Sequence, residues 1–238
     1  MHPGAPPYDK PLVCSIIMPV LNEASRINDL INRLHIQESG DRVEIIVVDG
    51  DANGSTINGL ASEHVRTLIS ERGRACQMNS GAAIAKGDIL VFLHADTRLP
   101  ADAFSLIRQA MSDVRVVGGA FDLGFDTGRR IFKVTEKYVY LRTRLTRIPF
   151  GDQVIFLRRT YFEDIGGYRA IPLMEDVDLM KRIRRRGDHI AIIPQKVLTS
   201  TRRYETEGIL YCTLRNWALQ SLYACGVPPE FLAKWYKS

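Results

Sequence analysis

The sequence predicts one α/β domain with a mostly parallel central sheet flanked by helices. Three observations predict it. Short apolar runs rich in β-branched residues alternate with helix-period segments through the first hundred residues, as right-handed βαβ units require. The 238 residues are 45% hydrophobic, enough to bury one large core and short for two. No Pro/Gly-rich linker divides the chain. Residues 1–10 lack an apolar stretch and read as a flexible leader. Residues 11–238 read as one domain with two halves, meeting near residue 100.

Taken in order, residues 13–18 (V-C-S-I-I-M) form a buried strand that Pro19 ends. Ile27, Leu30, Ile31 and Leu34 recur at helical spacing, so residues 23–37 form an amphipathic helix. Residues 43–48 are a second buried strand, 55–64 a helix, 65–69 a strand, 73–85 an Ala-rich helix and 88–93 a fourth strand. Beyond residue 100 the alternation loosens. Helices are expected at 101–111, 128–146, 174–186 and 207–225. Strands are expected at 116–123, 154–157, 190–193 and 197–200.

The charge balance of 32 basic against 27 acidic residues is too mild for nucleic-acid binding. It suits an anionic ligand or an anionic membrane surface. Cys14, Cys76, Cys212 and Cys225 form no CxxC pair and read as reduced thiols of a cytoplasmic protein. No apolar run reaches the length of a membrane span.

Polar residues gather at strand ends, where open α/β sheets bind ligands. Asp96, after the fourth strand, suits Mg²⁺ or Mn²⁺ shared with a substrate's phosphates; its plainer role is a turn cap before Pro100. Asp49, ending the second strand, suits a base or ribose, or equally a helix cap. Arg72 and Arg74 open a helix whose free N–H groups suit a diphosphate. Glu175, Asp176 and Asp178 begin another helix. The macrodipole accounts for part of that acidity, and a loop before it aims a carboxylate as general base.

In this order the segments resemble glycosyltransferase family 2, with its Rossmann-like GT-A fold. The resemblance runs from Ser15 (S-I-I-M-P-V-L-N-E) through E-I-I-V-V-D-G ending at Gly50, the block from Arg72 to Asp96, and Gly166-Gly167-Tyr168 before Glu175-Asp176. It is nearest to a bacterial-type subgroup carrying L-H-A-D-T. The resemblance implies an inverting, metal-assisted transfer of sugar from a UDP- or GDP-linked donor to an acceptor hydroxyl. Residues 11–100 form the nucleotide half and 101–238 the acceptor half. Pro19, Leu21 and Glu23 line the nucleotide pocket, Asp49 meets the base or ribose, and Arg72, Arg74, Asn79 and Ala95 complete the donor set. Asp96 holds Mn²⁺ or Mg²⁺, Asp176 is the base and Glu175 supports it. His94 departs from the pattern, standing where the metal motif's first aspartate usually stands.

Two alternatives stand beside this reading: a sugar-1-phosphate nucleotidyltransferase and a non-catalytic nucleotide-sugar-binding module. The first expects a Gly-rich loop where Pro19 to Glu23 stand. The C-terminal helix is apolar over most of its circumference, and Phe231, Leu232, Trp235 and Tyr236 recur beside Lys234 and Lys237. It suits a peripheral membrane contact on the inner face, a lipid-linked acceptor or a homodimer contact.

Overall fold

The computed structural model describes residues 12–37 and 43–236; the leader 1–10 lies outside them. The first half runs β1 (Cys14–Val20), α1 (Ala24–Gln37), β2 (Val43–Asp49), a 3-10 turn (Ile57–Gly59), β3 (Arg66–Ile69), α2 (Arg74–Ile84) and β4 (Ile89–Phe92). The second runs β5 (Thr97–Arg98), α3 (Ala103–Met111), β6 (Val116–Phe125), α4 (Arg130–Thr146), β7 (Phe156–Arg158), α5 (Arg159–Asp164), α6 (Glu175–Arg186), β8 (His189–Thr199), α7 (Arg202–Glu207), α8 (Ile209–Ala224) and α9 (Pro229–Tyr236).

One sheet in the order β3-β2-β1-β4-β7-β6-β8-β5 carries the molecule. β1, β2, β3 and β4 pair in parallel. β7 runs antiparallel to both β4 and β6, and β5 runs antiparallel to β8. Every other strand shares one direction, so the sheet is mostly parallel.

Strand alternation divides the core into two layers. Cys14, Ile16, Met18 and Val20 of β1 face α1 and α3, packing with Ile31, Leu34, Phe104 and Ile107. Ile17 faces the other way, with Ile46, Val48, Leu90 and Phe92, onto α2 and α6. β1 is buried along its whole length, which explains its unbroken apolar run.

Departures from the expected elements have local causes. Residues 55–64 form only the 3-10 turn, because the Asp49 carboxylate takes the Thr56 and Ile57 N–H groups at 2.7 and 3.2 Å. The two short strands expected at 190–200 are one strand, β8. Its pairing with β6 shifts between Ile193 and Lys196, at Pro194, which has no N–H to give the ladder. The expected helix 207–225 is α8, which begins after Gly208 at φ 95°, and the short α7 precedes it. β5, α5 and the separate α7 were not visible in the periodicity. All four cysteines are free.

Gly81 of α2 permits the close approach of that helix to the sheet. A Cβ there would stand 2.5 Å from Ile17 Cγ2 and 3.0 Å from Val48 Cγ2. Gly81→Ala should therefore lower unfolding free energy by about 1–3 kcal/mol, despite a helix-propensity gain of about 1 kcal/mol. Urea denaturation reads the sign, and a net gain in stability overturns the packing account.

Candidate active site

β1 and β4 are parallel neighbours, paired from Cys14↔Ile89 to Ile17↔Phe92. The chain leaves β1 outward to β2 and β3 and returns to β4, so the strand order reverses between them. The loops that follow these strands diverge there, which opens a crevice at their carboxyl ends. A cleft of about 670 Å³ occupies that crevice and extends beneath α4, α8 and α9.

Pro19, Leu21 and Glu23 line it after β1. Their loop is tied to the loop after β2 by Glu23 N–H donating to Thr56 Oγ1 at 3.1 Å and Asn22 N–H to Ser55 Oγ at 3.3 Å. His94, Ala95 and Asp96 line it after β4. Asp96 is exposed, and its Oδ1 accepts the Thr97 hydroxyl at 3.2 Å. Arg72 and Arg74 enter from the N-terminal end of α2, on either side of Gly73 at φ 145°.

Glu175 and Asp176 begin α6 and line the other half of the cleft. Asp176 Oδ2 accepts the Gly151 N–H at 2.6 Å and Oδ1 the Val177 N–H at 2.7 Å, which fixes the carboxylate's orientation. Gly151 must be small. A Cβ there would lie 2.9 Å from His94 Nε2 and 3.2 Å from Asp176 Oδ2, so these two side chains converge on one point. Asp178, the third carboxylate of the turn, is committed to structure through Arg182 at 2.9 Å and Arg169 at 3.2 Å.

Backbone strain gathers around the same cleft. Asn22, Val154 and Met174 are left-handed at φ 58°, 55° and 66°. They stand beside Glu23, near Asp152 and directly before Glu175. Val154 is β-branched, a costly occupant of that region. Strain of this kind persists where surrounding packing over-determines it, commonly at functional sites.

The electrostatics are of opposed charges crowded together. Burial, then the charge of Asp176, pushes the Glu175 carboxyl up to about 7. Burial likewise raises Asp152 to about 6, against the pull of Arg142, and with further upward pressure from Asp176 and Asp96. Asp152 Oδ1 is buried without a hydrogen-bond partner among the described residues. Burial and then Arg74 hold His94 down to about 4. For Arg74, desolvation opposes its charge. Tyr236, Glu175, Asp176 and Asp96 outweigh that and raise its pKa above the usual arginine value.

Nine of the residues marked in the sequence meet here: Pro19, Leu21, Glu23, Arg72, Arg74, Ala95, Asp96, Glu175 and Asp176. Asp49 and Asn79 do not line the cleft. Asp49 is fully buried, and its carboxylate accepts the N–H groups of Asp51, Thr56 and Ile57. Asn79 clamps Tyr168, donating to its carbonyl at 2.8 Å and accepting its N–H at 3.0 Å. Sequence reasoning did not mark Arg142 and Arg215, which also line the cleft together with Arg203 and Tyr204. Arg142 sits in a basic helix that reads as a solvated face. Only its stacking on Phe150 at 3.5 Å and its bond to Gln153 at 3.0 Å reveal it as inward.

The raised Glu175 pKa has a stability consequence. The folded state keeps a proton that the unfolded chain releases between about pH 4.5 and 7, so this residue's contribution falls as pH rises through that window. Glu175→Gln should thus match the parent at pH 4. It should exceed the parent in stability above pH 7 by at most about 3 kcal/mol. Urea unfolding at the two pH values checks it; a constant gap removes the claim of a buried, proton-holding carboxyl.

Comparison with known proteins agrees with this arrangement. Residues 15–172 match the model of "Glycosyl transferase family 2". Probable glycosyltransferase YdaM of Bacillus subtilis (strain 168) is 24% identical over 250 residues, covering 94% of this chain and 58% of the relative. The chain thus spans less than two thirds of that protein's length. Mannosyltransferase PcManGT from Pyrobaculum calidifontis, solved with GDP-Man and Mn²⁺, superposes with a TM-score of 0.61 at 22% identity, covering 82% of this chain and 58% of that one. Glucosyl-3-phosphoglycerate synthase from Mycobacterium tuberculosis, solved with Mn²⁺, UDP and phosphoglyceric acid, superposes at 0.63 with 18% identity, covering 91% and 80%. These structures share the GT-A fold. With the family model matching more than half of its length, the chain belongs to glycosyltransferase family 2.

Proposed function

We propose that this enzyme moves a sugar from a UDP- or GDP-linked donor to an acceptor hydroxyl, with inversion at the anomeric carbon and Asp176 as the base. The single observation that carries this is the Asp176 carboxylate, fixed by two backbone N–H groups inside the cleft that Arg72, Arg74 and Asp96 also line. The nucleotide ligands named for the solved structures, GDP-Man and UDP, support the donor class.

Pro19, Leu21, Glu23 and Ala95 shape the nucleotide end. Asp49 acts beneath it, holding the loop of residues 50–57 that meets the base or ribose. Asn79 acts by clamping α2 to the loop at Tyr168. Arg72 and Arg74 face the diphosphate, where guanidinium groups make strong charge-assisted bonds. Asp176 takes the proton of the acceptor hydroxyl. The oxygen forms its bond to the anomeric carbon as the bond to the diphosphate oxygen breaks on the opposite side. The cleft offers one positioned base and no carboxylate assigned as nucleophile, hence inversion. Glu175, pushed up to about 7 by burial and then by the charge of Asp176, supports Asp176 while carrying less than a full second charge at neutral pH.

The residues fit a divalent ion only as one shared with the donor. No group of three or more His, Cys, Asp or Glu side chains is arranged for a metal among the described residues. The exposed carboxylate of Asp96 would hold the ion, with diphosphate oxygens as its further ligands. Bound there, Mn²⁺ or Mg²⁺ would supply positive charge to offset that of the departing nucleoside diphosphate.

Two measurements follow. Asp176→Asn should lower turnover roughly 10²–10⁴-fold with nucleotide affinity near the parent's; parental turnover transfers the base role to Asp152 or Glu175. Nucleoside diphosphate binding, followed by calorimetry, should tighten with Mn²⁺ in the parent and lose that gain in Asp96→Ala. Equal affinity with and without EDTA in the parent removes the metal from the site.

A further inference from the structure

α4 and α8 together expose a surface that the core does not explain. On α4, Val134, Tyr138, Leu141 and Leu145 follow one another at i, i+4, i+7 and i+11, and Leu145 is 72% exposed. On α8, Leu210, Leu214 and Trp217 repeat the same spacing, with Leu210 69% and Leu214 62% exposed. A helix that faces water on one side carries polar residues there. These two carry an apolar stripe instead. The Tyr138 and Trp217 rings stand 5.0 Å apart and join the stripes into one platform. Arg142 bonds Gln220 at 3.4 Å across the same seam.

The exposed charge on the two platform helices has one sign. Arg130, Lys133 and Lys137 are the exposed charged residues of α4. Its single acid, Glu136, is buried and paired with Lys196 at 2.6 Å. α8 contains no acid, and its one charge, Arg215, is buried against Glu207 at 2.7 Å. Nearby, α9 exposes Phe231 and Trp235 beside Lys234, with Glu230 as its acid. A second copy of the chain packed face to face would oppose basic rims without acidic partners. Anionic lipid headgroups neutralise such a rim, while aromatic and aliphatic side chains enter the headgroup region.

We infer that the α4–α8 platform docks the enzyme on an anionic membrane surface. Tyr138 and Trp217 belong both to the platform and to the cleft lining, so the cleft opens where the lipid would lie. Taken with the proposed transfer reaction, on which this clause alone rests, the acceptor is an amphiphile whose hydroxyl-bearing head enters from the bilayer surface. Neither helix is long and apolar enough to cross a membrane. The contact is therefore interfacial.

The test is vesicle flotation of the full chain at low salt. Phosphatidylcholine vesicles containing phosphatidylglycerol should carry it upward, and phosphatidylcholine alone should carry about tenfold less. Arg130→Glu with Lys137→Glu, and separately Leu141→Ser with Leu145→Ser, should each cut the floated fraction about tenfold. Thermal melting and nucleoside diphosphate binding should match the parent in both. A parent chain that stays at the bottom with anionic vesicles overturns the inference, as does flotation that both double variants retain. A dimer in sedimentation that Leu141→Ser/Leu145→Ser dissociates, with no vesicle binding, overturns it in favour of a contact between copies. Flotation by a chain that binds no nucleotide would sink the proposed reaction and leave the docking intact.

Discussion

The parallel pairing of β1 with β4 is the constraint on which the site depends. Both strands are buried on both faces, so their side chains are spent on the two core layers and their ends cannot drift. The register Ile17↔Phe92 brings the turn at Pro19 and the turn at His94 out side by side. On the other side of β1, Gln77 ties its end to that of β2, its amide donating to the Val20 and Val48 carbonyls at 2.8 Å each. A polar side chain buried to this degree is stable because both donors are used. The cleft inherits its shape from those fixed ends, not from its own loops.

What fills the cleft is a balance of charge held in an unfavourable place. Glu175, Asp152 and Asp176 lie with Arg74 and Arg142 along one cleft. The outcome is asymmetric. Glu175 and Asp152 are driven towards their neutral forms by burial, while Arg74 gains charge stabilisation from the acids around it. Under the proposed reaction, a bound diphosphate would change that balance by bringing negative charge to the arginines. Preorganised charges of this kind need little rearrangement on binding, which is where electrostatic assistance has its effect.

The legible part of the fold is the part governed by short-range pattern. The β-branched runs at Ile16, Ile46 and Leu90 announced the central strands, and the Ile27–Leu34 spacing announced α1. The residues at strand ends were legible for the same reason, since a parallel sheet sends them all to one edge. Asp49 marks where pattern reasoning reaches its limit. A carboxylate after a strand looks alike whether it meets a ligand or ties a loop, and only its three backbone donors distinguish the cases. Arg142 illustrates the complementary difficulty. It reaches the cleft from the second half of the chain through tertiary packing, while its sequence neighbours are ordinary basic helix surface. The strand at β8 was read as two because Pro194 interrupts its hydrophobic run without ending the strand.

That same proline has a bearing on solubility. β8 is eleven residues long, yet β5 pairs only with Leu198 and Thr199 on its outer side. A long, flat, unpaired margin would be a template for another chain's backbone. Here Pro194 withholds one donor, the register shift twists the strand, and His189, Pro194 and Lys196 are exposed along it. The irregularity that hides the strand from pattern reading also makes its free margin a poor partner for amyloid-like addition.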